Sequence, residues 1–224
     1  LHAAAFVLAI ASLFSSILAL FRDRLFAHTF GASRELDLYY AAFRIPDLLF
    51  VLLGALVSVY FLIPELARRS TEEQKKYFET LCAGFAVFAI AAALIASAAA
   101  DRLVPALYPT FSPSDTSTII VLTRIMLLQP VLLGFSNIFA AVTQSRMRYA
   151  LYAMSPLMYN AGIILSAVFL YPSFGLSGLA WGVVLGSALH FAVQIPSVVR
   201  DGMFTRIPRI HSMRDLIHSF ALSL

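Results

Sequence analysis

Six runs of about twenty or more apolar residues, parted by short polar stretches, constrain this chain more than any other feature. They fall at about Ala3 to Phe21, Leu38 to Ile63, Phe78 to Ala100, Thr118 to Val142, Ala150 to Leu170 and Leu179 to Val199. A bilayer's hydrocarbon core takes about 20 apolar residues of helix to cross. Backbone groups in lipid must be paired within the protein, which leaves helices or closed barrels as the spanning structures. The alternating segments of about ten residues that a barrel needs are absent. Hydrophobic residues make up 60% and charged residues 12% of the 224, and the mean hydropathy is +0.84, far from the balance of a soluble domain. The chain therefore reads as an all-α polytopic membrane protein with six transmembrane helices.

Punctuation sets the limits of each helix. Gly31 is a C-cap for the polar extension of the first span, and in the second Pro46 bends the start and Pro64 closes the end. ELARRSTEEQKK reads as an aqueous loop, as does the segment holding Asp101, Arg102, Pro105, Pro109 and Pro113. QSRMR ends span four, and PSFGLSG turns span five into span six. After a polar loop, LIHSFALSL is apolar but too short to cross, and reads as the start of a seventh helix. The expected division is a six-helix lobe over residues 1–200, followed over 201–224 by a cytoplasmic loop and that beginning. The first run is too long for a cleaved signal peptide and is not followed by a clear A-x-A site, so it reads as a true span.

Loops after spans two, four and six hold ten Lys and Arg, from Arg68 to Arg214, against five on the other side: Arg22, Arg24, Arg34, Arg44 and Arg102. The richer side is expected to be cytoplasmic, which puts the N-terminus inside. The net charge of +4 is carried by these loops and does not point to nucleic acid.

Charge also collects where a membrane protein avoids it. Between Leu20 and Asp47 stand Arg22, Asp23, Arg24, Arg34, Glu35, Asp37, Arg44 and Asp47, four of each sign. A balanced set excludes a polybasic lipid anchor and points to ion pairs lining a wet cavity. Arg22 and Arg44 have two open readings: ligands for phosphate oxygens, which a guanidinium forks onto, or partners of Asp23, Glu35 and Asp37 that tie spans one and two. Arg24 and Arg34 can also snorkel to the surface. Arg124 lies within an apolar run and is expected to turn inward, to a ligand or to Asp23 or Asp37. Gln129, Asn137, Asn160 and Gln194 read as interhelical hydrogen-bonding groups, and Gly178, Gly182 and Gly186 as a close-packing stripe.

Cys82 is the only cysteine, and His2, His28 and His190 have no second ligand at metal spacing, so neither a disulfide framework nor a metal or other cofactor is expected. G-x-S-x-G, H-E-x-x-H and phosphate-loop patterns are absent, which disfavours an enzyme.

The run FRDRLFAHTFGASRELDLYYAAFRIPDLL resembles the first loop and second helix of the MurJ (MviN) family of lipid II flippases. LTRIMLLQP, SRMRYALYAMSPLMYNAGII and GLSGLAWGVVLGSALHFAVQIPSV are similar to that family's fourth, fifth and sixth helices. The resemblance covers nearly the whole chain. It implies one lobe of a two-lobe exporter of the multidrug/oligosaccharidyl-lipid/polysaccharide superfamily. Such a protein moves undecaprenyl-pyrophosphate-linked peptidoglycan precursor to the outer leaflet of the plasma membrane by alternating access. By position, Arg22 and Asp23 match the family's R-D pair, Asp37 its following aspartate, and Arg44 the basic residue before I-P. The implied roles are substrate binding for Arg22, Arg44 and Arg124, and charge pairing or gating for Asp23, Asp37 and Arg24. The implied partners are a lipid-linked glycan, the bilayer and a C-terminal lobe.

The chain departs from the family at Ser15 and Ser16, at Phe50 and Val51, and at Gly54, Ala55 and Leu56, where the family often carries further charge. Two alternatives stay open beside the flippase: an exporter of another polyprenyl-linked oligosaccharide or drug, and a non-transporting membrane scaffold in cell-wall synthesis. A membrane transferase stands third.

Overall fold

The structure, a computed structural model, describes residues 2–203 and 209–222. The side chain of His2, loop residue Arg206 and the last residues of the apolar tail lie outside the described set. The described residues form twelve helices: α1 His2–Phe30, α2 Arg34–Ala42, α3 Arg44–Leu56, α4 Val59–Ala67, α5 Thr71–Leu107, α6 Pro113–Met126, α7 Leu128–Ser145, α8 Tyr149–Phe169, α9 Tyr171–Phe174, α10 Leu176–Ala192, α11 Ile195–Arg200 and α12 Met213–Leu222. They join into six membrane-length spans: Phe6–Phe30, Arg34–Ala67, Thr71–Leu107, Pro113–Ser145, Tyr149–Phe169 and Leu176–Arg200.

Spans one, three and five are continuous; two, four and six are broken, each with a proline three residues after the break. The breaks lie at Phe43 before Pro46, Leu127 before Pro130 and Val193 before Pro196. A proline has no N–H for the carbonyl four residues back. At Pro46 that carbonyl belongs to Ala42, and it accepts instead from Thr123 Oγ1 at 3.1 Å, while Tyr108 OH donates to Ala41 O at 3.1 Å. Span two breaks again at Val57 and Ser58.

Several expected helix limits move. Pro64 does not close span two, because α4 runs through it to Ala67. Most of ELARRSTEEQKK is helical, since Ser70 and Glu73 form a capping box that starts α5 at Thr71; this reciprocal cap satisfies two end amides. Asp101, Arg102 and Pro105 belong to the last turns of α5, not to a loop. Gly31 does terminate α1, at φ +59, the left-handed conformation that glycine adopts freely.

The closest packing joins spans five and six. Gly162 of α8 faces Gly186 of α10 so tightly that a Cβ on either would overlap the opposing backbone, and one on Gly182 would overlap Ser166. The small-residue stripe is thus a packing seam. At the far end α12 lies against α5: Leu216 covers Gly84, Tyr77 OH and Ser219 Oγ stand 2.7 Å apart, and His211 Nε2 meets Glu79 at 2.7 Å.

Candidate functional site

Arg22 lies on the last turns of α1, and the continuous helix carries it beside α8. Its Nε and Nη2 donate to Asp23 Oδ1 at 2.9 and 2.7 Å, and its Nη1 donates to Asn160 Oδ1 at 2.9 Å. Three of the five guanidinium N–H groups are thereby used. Asn160, on α8, donates from Nδ2 to Pro156 O at 3.0 Å, which fixes its carboxamide with the oxygen toward Arg22.

Arg22 and Asp23 open onto a cleft of about 410 Å³ whose remaining wall is Phe26, Tyr39, Tyr40, Phe43, Asp47, Tyr159 and Ile163. Its aromatic side is rigid: Phe26 and Tyr39 are edge-on at 5.6 Å, Tyr39 and Phe43 at 5.0 Å, and Phe26 and Tyr39 are each 2% exposed. Tyr39, Tyr40, Phe43 and Asp47 share one helical face of span two, at i, i+1, i+4 and i+8, and so all reach this one space. Arg22 is 25% exposed at its side chain, a desolvated but reachable cation of the kind that holds an anion.

Tyr40 also walls a second cleft, of about 610 Å³, with Asp37, Ala41, Arg44, Leu107, Tyr108 and Phe111. Arg44 and Asp37 are exposed, and neither makes an ion pair among the described residues. The stretch from Leu20 to Asp47 therefore serves two adjacent clefts.

The other charged residues line neither cleft. Arg24 is exposed with no ion pair among the described residues. Arg124 does not reach Asp23 or Asp37: its Nη2 pairs with Asp101 Oδ2 at 2.7 Å and its Nε donates to Ser97 O at 3.3 Å, because α5 continues far enough to bring Asp101 beside it. Arg34 bonds to Asp115, which also caps α6 through Ser112, and so ties span two to span four. Tyr171 donates to Glu35 Oε2 at 2.7 Å; this bond to a carboxylate raises the phenol's pKa.

Asn160 and Tyr159 are the site residues that sequence reasoning missed as such. A carboxamide inside an apolar run is visible as an interhelical donor, but which cation it faces depends on the packing of α8 on α1. Gln129 and Gln194 bond between spans as expected, to Tyr159 OH at 3.2 Å and to Ser136 Oγ at 2.8 Å.

A family model described as "Lipid II flippase MurJ" matches residues 26–223. A protein of Burkholderia cenocepacia called lipid II flippase MurJ is 28% identical over 215 residues, covering 92% of this chain and 42% of that protein. One of Thermosipho africanus with the same name is 29% identical over 201 residues, covering 88% and 42%. Among solved structures, lipid II flippase MurJ in an inward closed conformation superposes with a TM-score of 0.80 at 24% identity, over 97% of this chain and 46% of that one. A MOP superfamily transporter from Pyrococcus furiosus superposes at 0.66 and 14% identity, over 98% and 51%. The chain thus spans less than half the length of these curated relatives. The family model's match over most of the chain, on a six-span fold that these solved structures share, establishes that it belongs to the lipid II flippase MurJ family.

Proposed function

We propose that this lobe, paired with a second, moves a polyprenyl-pyrophosphate-linked peptidoglycan precursor from the inner to the outer leaflet by alternating access. The observation that carries this reading is the Arg22–Asp23 pair, its guanidinium held by Asn160, on the wall of a 410 Å³ cleft within the spans. An arginine there, half-neutralised by a carboxylate and with two N–H groups left, holds a diphosphate without trapping it: the anion competes with Asp23 for the guanidinium. Substrate release is then a return of Arg22 to Asp23, a switch that rocking of the lobes can drive. The Arg44 cleft, across Tyr40, offers the second cation. Arg124, held by Asp101, contributes to this reading only after that pair opens. The N-terminus is cytoplasmic in this arrangement, which sets the Arg22 cleft toward the outer half.

The test is transport of fluorescent undecaprenyl-pyrophosphate-linked precursor in vesicles holding the full-length natural protein. Arg22→Ala at normal folded yield is expected to abolish translocation. Unimpaired translocation by that variant would sink the reading and leave the arginine a structural partner of Asp23.

A further inference from the structure

The Arg22 cleft holds more negative charge than positive. Arg22 and Asp23 pair at 2.7 Å and cancel, and Asp47 stands on the same wall. Among the described residues its carboxylate makes neither an ion pair nor a hydrogen bond, an unusual condition for an acid between membrane spans. Arg44, on the same helix, lines the neighbouring cleft with Asp37. Taken together, the two clefts set two arginines against three aspartates. The other titratable groups facing Asp47 are Tyr39 and Tyr40 of span two and Tyr159 of α8; α5, α6, α7 and α12 give this wall no acid or base.

That excess acts on the ligand proposed above, because a diphosphate diester brings two negative charges of its own. A space of about 410 Å³ is roughly 9 Å across, so any ligand in it lies within that reach of Asp47, and at an effective permittivity of about 20 each like unit charge weakens binding by roughly twentyfold. Water in the open cleft screens part of this, but the sign is fixed: an ionised Asp47 opposes what Arg22 attracts. A proton removes the opposition and does more. The carboxylic acid gains an O–H that donates to a phosphate oxygen, where the carboxylate could only accept. A metal cation is a poorer neutraliser here, because it wants about six oxygen ligands and the wall's other carboxylate is already taken by Arg22.

We infer that Asp47 is a proton-binding site linked to the anion site: one proton passes from water to its carboxylate as a diphosphate settles at Arg22, and returns to water as the diphosphate leaves. This rests on the anion reading above and adds the counter-charge which that reading requires. Linkage makes the effect mutual, so the proton tightens the anion by the same factor with which the anion tightens the proton.

The experiment measures Kd of the full-length natural protein in detergent for undecaprenyl pyrophosphate carrying an N-acetylhexosamine, a diester whose charge does not change near neutral pH. The wild type is expected to bind it about tenfold or more tightly at about pH 6 than at about pH 8, and calorimetry in buffers of different ionisation enthalpy is expected to count about one proton taken up. Asp47→Asn keeps the shape without the titration. It is expected to bind at the higher pH about as tightly as the wild type does at the lower, with no proton taken up. Asp47→Glu keeps a titrating carboxylate and is expected to retain the pH dependence. A wild-type affinity indifferent to pH, the same pH dependence in Asp47→Asn, or a dependence on sodium in place of pH each overturns the proton site. Arg22→Ala, measured alongside, is expected to bind weakly at both pH values; undiminished binding there faults the anion reading, while Asp47→Asn still reports on the proton.

Discussion

Arg22 spends its hydrogen bonds unevenly. Two N–H groups converge on one oxygen of Asp23 and a third reaches Asn160 on another helix, so the side chain is aimed before any ligand arrives. Lysine keeps the charge but not the fork. Arg22→Lys is therefore expected to weaken binding of undecaprenyl pyrophosphate about tenfold, measured by native mass spectrometry of the full-length protein. Asn160→Ala is expected to weaken it severalfold through a freed guanidinium, and Asn160→Gln to recover part of that loss; equal losses in both would mean that the carboxamide only packs. The presence of Arg22 and Asp23 in a functional stretch was legible, because charge beside an apolar run needs a reason. Their partner was not. Asn160 stands 138 positions away, and nothing in a lone carboxamide says which helix its own will pack against. Arg124 shows the same limit: its need for a partner was readable, but Asp101 was hidden by assigning it to a loop.

At the scale of helices, what the sequence conveys is where apolar length suffices, and what it hides is how far polar ends continue. Proline alone does not tell a helix end from a helix interior. Pro64 and Pro105 lie inside helices, where one missing amide near an end is tolerated, whereas Pro46, Pro130 and Pro196 accompany real breaks. The break at Phe43 depends on a borrowed donor, so Thr123→Val, which removes the hydroxyl that serves Ala42 O, is expected to cost about 1–2 kcal/mol, seen as a lowered thermal midpoint in detergent. The glycine seam is less forgiving. Gly186→Leu drives a side chain into Tyr159 backbone, and is expected to cost at least about 1–3 kcal/mol, lowering folded yield in membranes. Gly31→Ala meets open space but a left-handed φ of +59, and so strains only the cap.

The whole lobe carries a topology that labelling can check. Cys82 is 2% exposed, which gives a quiet background for single new cysteines. With the N-terminus inside, Ser114→Cys is expected to react with a membrane-impermeant maleimide in intact cells, and Glu72→Cys only after the membrane is opened. The reverse pattern would invert the assignment and move the Arg22 cleft to the inner half. Six spans and their order were plain in the sequence because each run is long and apolar. How the lobe yields under load was not. Three unjointed struts alternate with three jointed ones, and the joints sit at unequal depths: Phe43, Leu127 and Val193 come nine, fourteen and seventeen residues into spans that begin at Arg34, Pro113 and Leu176. Side chains lash neighbouring struts near the joints, Thr123 to Ala42 and Gln194 to Ser136. Joints at one level would crease such a frame along a line. Staggered as these are, no single plane across the six spans holds all three interruptions.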